Sequence, residues 1–102
     1  MTPQALRLRP DLLADLREAV AWYEAASPGL GAKFQQAFFT ELDHIASTSQ
    51  SYRTLYRDFR RAIMPRFPYL IYFKVEANTA IIFLLIHSAR DPAVTRSILR
   101  QR

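Results

Sequence analysis

An almost charge-free run, AIIFLLI, ends in His87 and is followed at once by SARDP, which brings Arg90, Asp91 and Pro92. An imidazole titrates near neutral pH and can act as acid or base. The guanidinium groups of Arg60, Arg61 and Arg90 are planar forks that can hold a phosphate. With Tyr72, these are the groups available for cleaving RNA through its own 2′-hydroxyl. That reaction needs a base for the hydroxyl, an acid for the leaving oxygen and cations on the phosphate. The alternative is a polar lock made by His87, Arg90 and Asp91. A ring nitrogen of His87 can bond a nearby backbone carbonyl at the strand end. Asp91 can accept from backbone N–H groups of the turn or from Arg90, Pro92 closes the turn, and Arg90 can also pair with Glu24. The lock is the stronger reading, because polar residues after a strand commonly close turns and the acid–base inventory is thin. His44 is the only other histidine, on a predicted helix, and Lys74 is the only lysine in the second half of the chain.

Other chemistries find less support. Glu41, Asp43 and His44 can ligate metals, but an i, i+2, i+3 spacing does not put all three on one helix face, so no metal site is expected. The only glycines are Gly29 and Gly31, so no phosphate-cradling loop exists, and no cofactor is expected. The absence of cysteine excludes disulfides and thiolate metal sites and fits a cytoplasmic protein. The N-terminus lacks a secretory apolar region, and no apolar run approaches the roughly 20 residues that span a bilayer.

Charge is unevenly distributed. Residues 1–50 carry four basic and six acidic side chains, whereas residues 51–102 carry ten basic and three acidic. Twelve of the fourteen basic residues are arginine, five of them between Arg53 and Arg66. A basic half-chain implies either a solvated basic face or an anionic partner, nucleic acid or an acidic protein segment.

The elements that must position these groups follow from periodicity. Ala5–Arg9 alternates apolar and basic residues, as a half-buried strand does. Pro10 opens a helix to about Ala26, with Asp11, Asp15 and Glu18 favoured by the dipole and Leu12, Leu16, Ala19, Val20 and Tyr23 on one stripe. Ser27-Pro28-Gly29 breaks it, with Ser27 available as a cap. A second helix is predicted from about Leu30 to Ser47, striped by Phe34, Phe38, Leu42 and Ile45. The short break makes an antiparallel hairpin. Trp22 and Phe39 belong to its core or to a partner-facing groove. Residues 47–51 read as a polar loop. Strands are predicted at Arg60–Met64, Tyr69–Val75 and Thr79–His87, the last two joined by a turn at Ala77-Asn78. The third is apolar on both faces and belongs centrally in the sheet. The segment from Val94 to Arg102 is a short helix or a frayed or partner-ordered tail. The expectation is one α+β domain over residues 1–102, ordered β-α-α-β-β-β. The helical hairpin packs on one face of a small, mainly antiparallel sheet.

Several words in fixed order resemble the RelE/ParE toxins of type II toxin–antitoxin systems, closest to the ParE-like, plasmid-stabilisation branch. They are Ala21-Trp22-Tyr23-Glu24, Pro28-Gly29-Leu30-Gly31 with Phe34, Tyr56-Arg57, Arg60-Arg61, Phe67-Pro68-Tyr69 with Ile71-Tyr72-Phe73, and His87 with Arg90-Asp91-Pro92. The chain departs from that pattern after Pro92, where Ala93-Val94-Thr95-Arg96 replaces the tryptophan and terminal basic residue that relatives often carry. The resemblance implies a toxin that arrests growth and is neutralised by a co-expressed, ParD-like antitoxin. ParE-like relatives are associated with poisoning DNA gyrase without being nucleases. RelE-like relatives cleave messenger RNA on the ribosome, the alternative in which His87, Arg60, Arg61 and Arg90 would form the active site. Arg57, Arg60, Arg61, Trp22 and Phe39 are the expected partner-binding residues. A basic nucleic-acid-binding module without toxicity is a third, weaker reading.

Overall fold

The computed structural model describes residues 5–102; residues 1–4 of the expected domain lie outside the described part. The elements are β1 (Ala5–Leu8), α1 (Pro10–Ala26), α2 (Leu30–Thr48), β2 (Thr54–Tyr56), β3 (Phe59–Ile63), β4 (Tyr69–Glu76), β5 (Thr79–His87) and α3 (Pro92–Gln101). The five strands form one sheet in the order β1-β5-β4-β3-β2. β1 runs parallel to β5, and every other neighbouring pair is antiparallel. This is the expected α+β architecture with one strand and one helix more than the sequence pattern supplied. β5 is an interior strand as expected, although β4 occupies the middle.

The helices bury the stripes that their spacing announces. Leu12, Leu16 and Ala19 of α1 meet Phe34, Phe38, Leu42 and Ile45 of α2 over Ile71, Phe73, Ala80, Ile82 and Leu85 of the sheet. Each large side chain buried there contributes roughly 1.5–3 kcal/mol. The opposite sheet face gathers Phe59, Tyr72, Ile81, Phe83 and Ile86 against Leu99 of α3. β5 is therefore apolar on both sides because the hairpin covers one face and α3 covers part of the other.

Three local features differ from expectation for identifiable reasons, and of the alternatives for the tail the short helix holds. Ser27 does not cap α2; its carbonyl accepts from the Leu30 N–H at 3.0 Å, and Gly29, at φ 88°, is the residue before α2. The Glu24 carboxylate does the capping, accepting from the N–H groups of Gly29 and Gly31 at 3.0–3.1 Å. The polar stretch 47–51 is no loop: α2 runs on to Thr48 and a 3₁₀ turn covers Ser49–Ser51, with Ser49 buried. β1 is an edge strand whose residues are mostly exposed, with only Leu8 packing on the core. The tail from Pro92 is helical, because Asp91 accepts from the Ala93 N–H at 2.8 Å and Leu99 is buried.

Candidate functional site

The end of β5 delivers His87 into a turn that is fixed by backbone bonds. The Arg90 N–H donates to the His87 carbonyl at 3.1 Å, and the Ser88 N–H donates to the Pro68 carbonyl at 2.8 Å. The His87 ring accepts at Nδ1 from the Ala89 N–H at 3.0 Å, instead of donating to a carbonyl as the sequence pattern suggested. A nitrogen that accepts carries no proton, so the neutral ring holds its proton on Nε2. Tyr69 meets the ring edge-on, with centroids 5.2 Å apart. Asp91 caps α3. Arg90 does not reach Glu24, whose carboxylate is committed to Gly29 and Gly31; its exposed guanidinium has no partner among the described residues.

His87 and Arg90 share a cleft of about 380 Å³ between α1, the end of β5 and α3, also lined by Trp22, Glu18 and Tyr69. Trp22 is 66% exposed. One end is closed by a bidentate pair, Arg102 Nη1 to Asp15 Oδ2 at 2.6 Å and Nη2 to Oδ1 at 2.9 Å. Parallel N–H···O bonds of this kind are strong and directional. Arg102 Nη1 also donates to the Phe83 carbonyl at 3.0 Å, and Asp15 accepts from the Leu85 N–H at 3.2 Å. The hydrogen bond to Asp15 holds the Arg102 pKa above its ordinary value.

The other sequence-predicted residues lie elsewhere. Arg60 donates to the carbonyls of Ser49 and Tyr52 at 3.1 and 2.8 Å, and so ties β3 to the end of α2. Arg61 is half-buried opposite Tyr72. His87 opposes Tyr69 on the far side of β4. Two strand spacings and three residues along the strand therefore separate the backbones of Arg61 and His87, about 14 Å. The four residues of the nuclease constellation do not converge; only His87 and Arg90 do. Arg57, at φ 53°, lays its guanidinium 5.3 Å from the Tyr56 ring centroid. The Tyr56 hydroxyl accepts from Arg100 at 3.2 Å, and that hydrogen bond, with the charges of Arg57, Arg100 and Arg96, draws its pKa down. Phe39 projects from α2, 40% exposed, with its ring against Phe38.

Sequence reasoning missed Asp15, Glu24, Tyr56 and Arg102 in these roles. Asp15 and Glu24 offered a signal, since each is an acid on a helix whose neighbours are read as core. Arg102 offered none, because its partner stands 87 positions away.

A family profile described as "ParE toxin of type II toxin-antitoxin system, parDE" matches residues 6–92. Among solved structures, one described as "Chromosomal ParDE TA system from P. aeruginosa" superposes with a TM-score of 0.75 at 16% identity, over 82% of this chain and 95% of that one. At that identity the likeness is one of fold. No curated protein sequence matches the chain.

Proposed function

Since the chain belongs to the ParE toxins of type II toxin–antitoxin systems, we propose that it arrests growth in the cytoplasm by inhibiting DNA gyrase, and that a cognate ParD-like antitoxin neutralises it. The observation that carries the non-nuclease reading is the dispersal of the acid–base inventory. His87 spends Nδ1 on the Ala89 N–H, Arg60 is committed to two backbone carbonyls, and Arg61 stands two strands away. Phosphate chemistry needs an acid or base and several cations around one phosphorus, and the cleft gathers one histidine and one uncommitted arginine. His87 and Asp91, with the backbone N–H of Arg90, then act as the lock that holds β5 to α3, and the Arg90 guanidinium is left out of it. Arg57, Arg61, Trp22 and Phe39 remain exposed or half-exposed for contact with a partner. Arg60 keeps that assignment only in so far as a partner reaches the end of α2.

Two assays run side by side test this reading. Purified gyrase should lose supercoiling activity when the protein is added, while messages on translating ribosomes stay intact. His87→Gln should keep most of its toxicity, since loss of a general acid or base would slow a nuclease by about 10²–10⁴-fold. Phased message cuts that vanish in His87→Gln, with gyrase unaffected, would assign the chain to the ribosome-dependent nucleases instead. Co-expression of a neighbouring reading frame that encodes a ParD-like antitoxin should restore growth.

A further inference from the structure

β4 covers one side of β5 along its whole length. The other side is covered in sections. Ala5–Leu8 pairs with Thr79–Ile82 in parallel register, and the last bond of that ladder is the Arg9 N–H to the Ile82 carbonyl at 3.3 Å. Pro10 then starts α1, so β1 cannot continue. Next, two side chains stand where a strand would: Arg102 takes the Phe83 carbonyl and Asp15 takes the Leu85 N–H.

Beyond that pair the edge is open. Within an antiparallel ladder a residue's N–H and C=O point to the same side, and the side alternates along the strand. The Leu85 N–H faces Asp15, so the Leu85 carbonyl and the His87 N–H face away from β4 as well. β4 offers His87 nothing: Tyr69 opposite accepts from the Met64 N–H at 3.0 Å and donates to the Phe67 carbonyl at 2.7 Å. Neither the Leu85 carbonyl nor the His87 N–H has a partner among the described residues. They straddle Ile86. One residue of a parallel strand satisfies such a pair, donating its N–H to the first group and accepting at its carbonyl from the second.

We propose that this open stretch, Leu85 to His87, takes an extended acidic segment of the antitoxin as an added parallel strand. The inference rests on the antitoxin partnership proposed above and names where and how the partner docks. An unpaired strand edge recognises a peptide backbone, because main-chain bonds supply the affinity. The cleft around the edge selects the side chains. Trp22 presents a large exposed ring on the α1 wall. Arg90 stands past the C-terminal end of β5 with an unpaired guanidinium. A segment parallel to β5 brings its own C-terminal side there. The occupant therefore carries an apolar residue against Trp22, closely followed by a carboxylate that pairs with Arg90. Glu18, one turn after Asp15 on the α1 wall, acts on Tyr69 opposite His87, so the occupant's carboxylate is disfavoured beside α1 and favoured at Arg90. The basic excess of residues 51–102 favours an acidic segment over a second copy of this net-positive chain.

Amide hydrogen exchange on the ¹⁵N-labelled protein reads the added strand directly. The probe is the purified ParD-like product of a neighbouring reading frame that restores growth on co-expression, added to saturation. The His87 amide should exchange on the order of 100-fold more slowly in the complex, and Arg90→Glu should raise the Kd at least roughly tenfold. A complex that forms with His87 exchange unchanged and Arg90→Glu binding unchanged overturns the added strand and leaves the toxin reading standing. Failure of any neighbouring product to bind overturns the antitoxin partnership and this inference with it. Protection of His87 in the free protein that grows with its own concentration assigns the edge to a second copy and overturns the proposal.

Discussion

Gly31 shows how one absent methyl group sets the geometry of the helical hairpin. A Cβ at this position would lie 2.8 Å from the Val20 carbonyl oxygen and 3.0 Å from Glu24 atoms. The first is backbone and cannot swing away. Gly31→Ala should therefore push α1 from α2 or displace Glu24 from its capping bonds, and cost about 1–3 kcal/mol. For a domain of this size that is a fall in Tm of several degrees, measurable by thermal melting followed by circular dichroism. Glu24→Ala should cost about 1 kcal/mol through the lost cap alone. The tyrosines add a pH dependence. Burial raises the pKa of Tyr69 and Tyr52 above the ordinary 10.0, the charge of Glu41 adding to the effect at Tyr52. Between the unfolded and folded values the unfolded chain releases protons that the folded chain keeps. The stabilisation from these groups is full below the unfolded value and is lost as pH rises through the folded one. Tm should fall as pH rises past about 10, and Tyr69→Phe should flatten that fall.

At the scale of elements, what could be read from sequence was what repeats locally. The 3.6-residue stripes placed both helices within a residue of their ends, and apolar β-rich runs placed β4 and β5. β2 escaped because Thr54–Tyr56 is three residues long, too short for a period to register. α3 stayed open because its last turns are polar; its docking depends on Leu99 meeting a sheet face that only the folded chain assembles. The cleft was half legible. His87 and Arg90 announced themselves by type, whereas its closed end depends on Asp15 and Arg102, which only the fold brings together. The turn between β4 and β5 lies where it was expected and carries local strain. Within the expected Ala77-Asn78 turn, the positive φ falls on Ala77, at 53°. A left-handed alanine costs about 1–2 kcal/mol relative to a right-handed one, and glycine escapes that strain. Ala77→Gly should stabilise the hairpin by a few tenths to about 1 kcal/mol, the balance of relieved strain and added unfolded-state entropy. A rise in Tm on melting is the expected sign. A fall would mean that strain at Ala77 is smaller than the entropy glycine adds.

For the whole molecule, the asymmetry of charge decides how a partner arrives. The acids lie mainly on the helical half, and several are used internally: Asp15 by Arg102 and Leu85, Glu24 by the start of α2. The sheet half and α3 keep an uncompensated excess of arginine. Around Tyr56, the guanidinium groups of Arg57 and Arg100 and the charge of Arg96 reinforce one another. Such a field attracts an acidic partner before contact, and it raises the association rate more than it lowers the dissociation rate. Arg60 contributes charge but is held by the Ser49 and Tyr52 carbonyls, so reversing it would also loosen β3 from α2. The informative variant is therefore Arg57→Glu with Arg61→Glu, which leaves those bonds in place. Its association rate with the antitoxin should fall about tenfold or more at low salt, with the dissociation rate nearly unchanged. Raising ionic strength to about 0.5 M should bring the variant and the parent together, because screening removes the steering field. Affinity should persist at high salt in both, since apolar burial and main-chain bonds at the β5 edge are not screened. Stopped-flow association at two salt concentrations separates these contributions. Equal rates for parent and variant at low salt would show that the basic half does not guide the encounter.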